Sequence, residues 1–143
     1  MAQDISLLSQ RLLRLSRRVE ENANAKVKNA SKAFLTEVVS GTPADTGQAI
    51  SSWKTGLDYT PVGTRNLAPG SKGSSKSAAV SAVLSLELPR LDRRRTGQTV
   101  YIVNTTAYIS LLNAGRSNQA PAGFIDKARL AAGARAKLPR LTD

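Results

Sequence analysis

Residues 4–40 read DISLLSQRLLRLSRRVEENANAKVKNASKAFLTEVVS, and this stretch decides the architecture. Apolar or small residues recur at Ile5, Leu8, Leu12, Leu15, Val19, Ala23, Val27, Ala30, Phe34 and Val38. Their mean spacing is about 3.67 residues, close to the helical period. Arg11, Arg14, Arg17, Arg18, Lys26, Lys28 and Lys32 lie off that stripe, and no proline interrupts it. The spacing therefore predicts one long helix. Asp4 is its expected N-cap, and Gly41 followed by Pro43 is its expected stop. Residues 4–40 in helical form span about 55 Å. A globule of 143 residues is only roughly 35–40 Å across. An unbroken helix would overhang its own domain, and its apolar stripe would need cover from a neighbouring subunit. The alternative is a kink at Asn22–Asn24, with the helix folding back on itself.

Residues 41–47, GTPADTG, carry the marks of a tight turn. From Ser52 to Tyr59 the chain alternates, with Trp53, Thr55, Leu57 and Tyr59 on one face, which predicts a half-buried strand. Residues 60–77, TPVGTRNLAPGSKGSSKS, hold two prolines, three glycines and no acid, and predict a long flexible basic loop. Ala78 to Leu88 reads as a short helix ended by Pro89. Gln98–Asn104 is apolar on both faces, which predicts a central, buried strand. A short helix over Thr105–Asn113 follows, with Gly115 at its C′ position. Pro121 opens a last helix running to about Lys137, and residues 138–143 form a loose tail.

This order predicts a single α+β domain over residues 1–143. The long N-terminal helix and the C-terminal helix pack on a small, mostly antiparallel sheet, with a long flexible loop. Two strands alone make a poor sheet. Either a third strand lies in residues 60–98, or strands of neighbouring subunits complete it.

Composition excludes most chemistry. The chain has no cysteine and no histidine, so disulfides, thiolate sites and the commonest general base and metal ligand are all removed. Ser–Lys pairs exist at Ser31–Lys32, Ser71–Lys72 and Ser75–Lys76, but on an exposed helical face or in the loop. LAPGSKGSSKS lacks the spacing of a phosphate-cradling loop. No catalytic residue, metal or cofactor is expected. Lys and Arg number 21 against 10 acids, a formal charge of +11. That charge suits nucleic acid or an acidic partner. It is spread along the chain, and its densest cluster is Arg90, Arg93, Arg94 and Arg95. No segment approaches the roughly 18 apolar residues of a membrane span. The N-terminus lacks the basic start and cleavage site of a secretory leader, which predicts a protein made and assembled in a cytosol.

Two segments carry a resemblance. One is Gly41-Thr42-Pro43-Ala44-Asp45-Thr46-Gly47 followed by Ser52-Trp53; the other is VYIVNTTAYISLLNAGRSNQAPAGFIDKA, from Val100 to Ala128. Together they resemble the tail-completion or neck proteins of long-tailed bacteriophages, the minor tail protein Z-like group. That group shows a "TPVDTG…SW" turn, a strand, a "YA..LE.G" helix and an "APAGF" helix start. Residues 67–88 also resemble its Gly/Ser-rich loop leading into an Ala-rich helix. The chain departs from the pattern at Ala44, where the group has Val, and at Asn113, where it has an acid.

The resemblance implies a non-enzymatic virion structural protein at the head–tail junction, assembled in the host cytoplasm. Such proteins form homo-oligomeric rings, commonly hexameric, around the DNA channel. They join the head connector to the tail terminator or tail tube. Under this reading Thr42, Pro43, Asp45, Thr46 and Gly47 form a turn that hands the helix to the strand, or serve an interface, with Trp53 beside them. Tyr108, Gly115, Gln119, Ala120, Pro121, Gly123 and Phe124 form an interface loop and helix start. Arg65, Lys72, Lys76, Arg93, Arg94 and Arg95 are candidate contacts to acidic partner surfaces or to genomic DNA. The rival reading is a basic DNA-binding or DNA-packaging accessory protein; a small hydrolase or nuclease is a third.

Overall fold

A computed structural model describes residues 2–43, 47–67, 76–115 and 122–136. Helix α1 runs unbroken over Ala2–Gly41, a length of about 60 Å. Asp4 lies inside its first turn rather than at its cap, where its charge complements the helix dipole. The expected weak point at Asn22–Asn24 is instead a clamp. Asn24 Oδ1 accepts from Arg94 Nη1 at 2.5 Å, and Asn24 Nδ2 donates to the Arg94 carbonyl at 3.5 Å. This fastens the helix to the body at mid-length.

The body is built on the second half of α1. After it come α2 (Gln48–Ser51), β1 (Lys54–Leu57), α3 (Lys76–Asp92), β2 (Val100–Val103), α4 (Ile109–Asn113) and α5 (Phe124–Ala136). β1 and β2 pair antiparallel, with Lys54 opposite Val103 and Leu57 opposite Val100. α5 returns along α1. Phe124 lies against Gly41, and Ala132 shares a surface groove with Ala30. The core joins Leu35, Val38 and Val39 of α1 to Ile50, Trp53, Ala79, Val83, Leu91, Phe124 and Ala128. Val100 and Ile102 pack on it from the inner face of the sheet.

The α+β class, the long first helix, the last helix and the antiparallel sheet match the expectation from sequence. Local details differ. Where the pattern predicted a strand from Ser52 to Tyr59, only Lys54–Leu57 is strand, and α2 stands just before it. Asp58 ends the strand in the left-handed region at φ 64. Its carboxylate accepts from Thr99 N–H at 2.8 Å, while its own N–H donates to the Thr99 carbonyl. Among the described residues the sheet has two strands and residues 76–92 are helical, so β2 is an edge strand rather than a central one. Its apolar faces divide between the core and solvent, where Tyr101 stays 38% exposed.

Pro89 lies within α3 rather than ending it. Proline removes a backbone donor and clashes with the preceding turn. Here it sits on the exposed side, and one further turn lets Leu91 reach the core. α5 starts at Phe124, three residues after Pro121. Gly123, at φ 84, donates its N–H to the Asn113 carbonyl at 2.8 Å. Asn113 Oδ1 then accepts Ile125 N–H at 2.9 Å, so the end of α4 caps the start of α5.

Gly41 is required by the packing of α1 on α5. A Cβ there would stand 2.9 Å from Phe124 Cβ. Gly41→Val is expected to lower stability by roughly 1–3 kcal/mol through overpacking, measured by urea denaturation.

Candidate functional site

The GTPADTG turn can be followed on both sides of Ala44, Asp45 and Thr46, which lie outside the described residues. Thr42 is fully buried. Its hydroxyl donates to the Val38 carbonyl at 2.5 Å and accepts Trp53 Nε1–H at 2.9 Å. One side chain thus closes the end of α1 and seats the only tryptophan. Pro43 and Gly47 are buried as well, and Gly47 takes φ 82 to start α2. These residues form an internal junction, and Trp53, at 4% exposure, belongs to the core.

A second internal site went unread in the sequence. The buried stripe of α3 is Ala79, Val83, Glu87 and Leu91, an acid in a row of apolar residues spaced by four. Glu87 is completely buried. Its Oε2 accepts Thr55 N–H at 2.9 Å and the Thr55 hydroxyl at 2.6 Å. Its Oε1 accepts Arg65 Nη2–H at 2.7 Å, and Arg90 approaches from the rim at 3.4 Å. Arg65 also donates to the carbonyls of Ser51 at 2.6 Å and Trp53 at 2.8 Å.

This overturns two expectations. Arg65 is not a surface contact for DNA or an acidic partner, because its guanidinium is committed inside the fold. Nor is residue 60–67 chain a free loop. Lys54 Nζ holds the Val62 carbonyl at 2.7 Å, Ser51 Oγ holds Leu67 N–H at 3.1 Å, and Thr105 holds the Gly63 carbonyl at 3.0 Å. The basic, Gly-rich composition that suggested mobility hides these ties. Residues 68–75, including Lys72, lie outside the described residues.

The C-terminal motif is divided. Tyr108 is 38% exposed at the start of α4, and Gly115, at φ 91, closes that helix with its N–H on the Leu112 carbonyl. Phe124 is not an exposed anchor; it is 5% exposed and packs in the core. Gly123 serves the α4–α5 connection described above. Gln119, Ala120 and Pro121 lie outside the described residues.

Of the remaining basic candidates, Arg94 is spent on Asn24 and on the Gln98 carbonyl at 3.0 Å. Arg93 and Arg95 are exposed, and Lys76 opens α3. Arg93 lines a shallow groove of about 290 Å³ with Arg90, Thr55, Leu57 and Tyr59. Tyr59 is 56% exposed, more than a strand position predicted.

The N-terminal half of α1 has the opposite character to these internal sites. Every residue from Ala2 to Asn22 is exposed. Ile5, Leu8, Leu12, Leu15 and Val19 remain 65, 57, 57, 50 and 46% exposed, with Leu7 and Leu13 beside them. An apolar surface this continuous marks a contact site. Among the described residues, no group of three or more acids or other ligand types gathers to hold a metal, and no helix is long and apolar enough to cross a membrane. No family model, curated protein or solved structure matches the chain.

Burial pulls the Glu87 pKa up, but hydrogen bonds from the Thr55 side chain, Arg65 and the Thr55 backbone, with the Arg90 charge, outweigh it and hold the carboxyl below its usual value. The unfolded chain therefore binds the proton more tightly. Stability from this group is present above the unfolded carboxylate pKa and is lost as pH falls through the folded one. Acid titration of unfolding should show this loss in the native chain and not in Glu87→Gln. Glu87→Ala should cost roughly 3–5 kcal/mol, since it leaves Arg65 without its counter-charge.

Proposed function

We propose that the chain is a non-enzymatic structural adaptor of a tailed-phage virion, a ring-forming neck or tail-completion protein joining the head connector to the tail. One observation carries the proposal furthest: an apolar helical arm of about 30 Å projects from a body that cannot cover it. A protein whose surface is unfinished as a monomer is suited to assembly. The order of the GTPADTG…SW and YISLLNAG…APAGF motifs supplies the kind of assembly. A chain without cysteine or histidine also has few of the side chains that catalysis draws on. Assembly takes place in the host cytoplasm, and the genome passes through the ring.

The groove beside Tyr59 supports the second reading, a DNA-binding or packaging accessory. An exposed aromatic beside Arg93 can stack on a base while the Arg93 guanidinium meets phosphate.

Particles assembled without this chain decide the first reading. Full heads and separate tails that do not join are expected. Normal joining would overturn it. Duplex-DNA binding with a steep salt slope, surviving near physiological ionic strength, would instead favour the accessory role.

A further inference from the structure

The exposed stripe changes period along α1. From Ile5 to Val19 the apolar steps are 3, 4, 3 and 4, a heptad repeat; from Val19 to Val27 they are 4 and 4. The change falls where burial begins, at Ala23 and Asn24. In the heptad frame Ile5, Leu12 and Val19 occupy a, and Leu8 and Leu15 occupy d. The next d position is Asn22, so the apolar seam ends where the body starts. Over the body the stripe follows the helix's own period and packs on the same chain. Over the arm it follows the period of a helix wound on another helix.

We infer that the arm, residues 2–22, packs in parallel against the same arm of a second copy through the seam Ile5, Leu8, Leu12, Leu15 and Val19. Three features select this occupant. The first is side-chain shape: two of the three a positions are β-branched, Ile5 and Val19 flanking Leu12, and both apolar d positions are Leu, the combination that favours parallel two-stranded coils. The second is charge. Beside the seam, position g holds Asp4, Arg11 and Arg18, and position e holds Ser9, Ser16 and Ala23. Parallel pairing sets g of one arm against e of the other, so Arg11 meets Ser16 and Arg18 meets Ala23 without repulsion. Antiparallel pairing sets g against g; in the register that places Leu12 opposite Leu15 it brings Arg11 towards Arg18 of the other arm, two like charges at each end. The third is area. At the exposures given above, two such seams remove on the order of 1,000 Å² from water, near the lower bound of a stable interface. Leu7 and Leu13, at c and b, lie outside this seam.

The inference concerns the arm alone and stands whether or not the ring reading holds. Its test uses the full chain, in which an introduced cysteine is the sole thiol. Sedimentation of the native chain should show a concentration-dependent rise to at least twice the monomer mass in the tens of micromolar. Leu8→Glu with Leu15→Glu should return it to monomer. Both positions are exposed in the free chain, so circular dichroism of the body and Trp53 fluorescence should be unchanged. Under oxidation, Ile5→Cys alone and Val19→Cys alone should each crosslink to itself. In an antiparallel pair the two copies of either cysteine stand about 20 Å apart and do not bond. A native chain that stays monomeric overturns the inference. Association without self-crosslinking overturns the parallel arrangement. Association that survives the double glutamate variant overturns the arm as its site, and leaves a ring formed through other surfaces standing.

Discussion

The buried Glu87 carboxylate is the constraint on which the body depends. It is the point where α3, the start of β1 and the chain at residues 60–67 meet. A buried carboxylate without partners would be costly. Here both Thr55 donors and the Arg65 guanidinium converge on it. The group that would weaken an apolar core thereby fixes the position of everything around it. It also blocks one edge of the sheet, since Thr55 N–H is given to Glu87 rather than to another strand. The free edge of the sheet lies on β2.

Thr42 does the corresponding work at the other end of the core. A helix terminus leaves carbonyls without partners. Thr42 returns both its N–H and its hydroxyl to the Val38 carbonyl, and its oxygen then receives the tryptophan indole. Together with Gly41 beneath Phe124, this junction sets the direction in which the chain leaves α1 and the distance at which α5 returns. The turn motif thus acts first on the fold. The exposed features lie elsewhere, on the arm and at the basic residues Arg93 and Arg95.

Much of this was legible in the sequence because it rests on periodicity. The 3.67-residue stripe of α1, its stop at Gly41 and the turn at Gly115 follow from backbone geometry and local side-chain pattern. Other features were hidden because they are pairings between distant residues. Nothing local marks Arg65 as the partner of Glu87, 22 residues away, or Asn24 as the partner of Arg94, 70 residues away. Local composition therefore read Arg65 as surface charge, residues 60–67 as loose chain and Asn22–Asn24 as the one point where the helix could break. Pro89 misled for a related reason: the burial of Leu91 two residues later carries the helix past a residue that would stop it in isolation.

By itself the sequence determined the α+β class and a long first helix whose apolar stripe exceeds a domain of this size, since these need only the helical rise and the spacing of apolar residues; that the helix stays unbroken at Asn22–Asn24 was decided by the structure. Tertiary structure alone decided which half of that helix is covered. α5 reaches back from Gly41 only to the neighbourhood of Ala30, and the Asn24–Arg94 clamp marks the last tie to the body. An apolar stripe states that burial is wanted, but not by what. Among the described residues, α5 and α3 cover α1 from Ala23 onward, while every residue from Ala2 to Asn22 stays exposed.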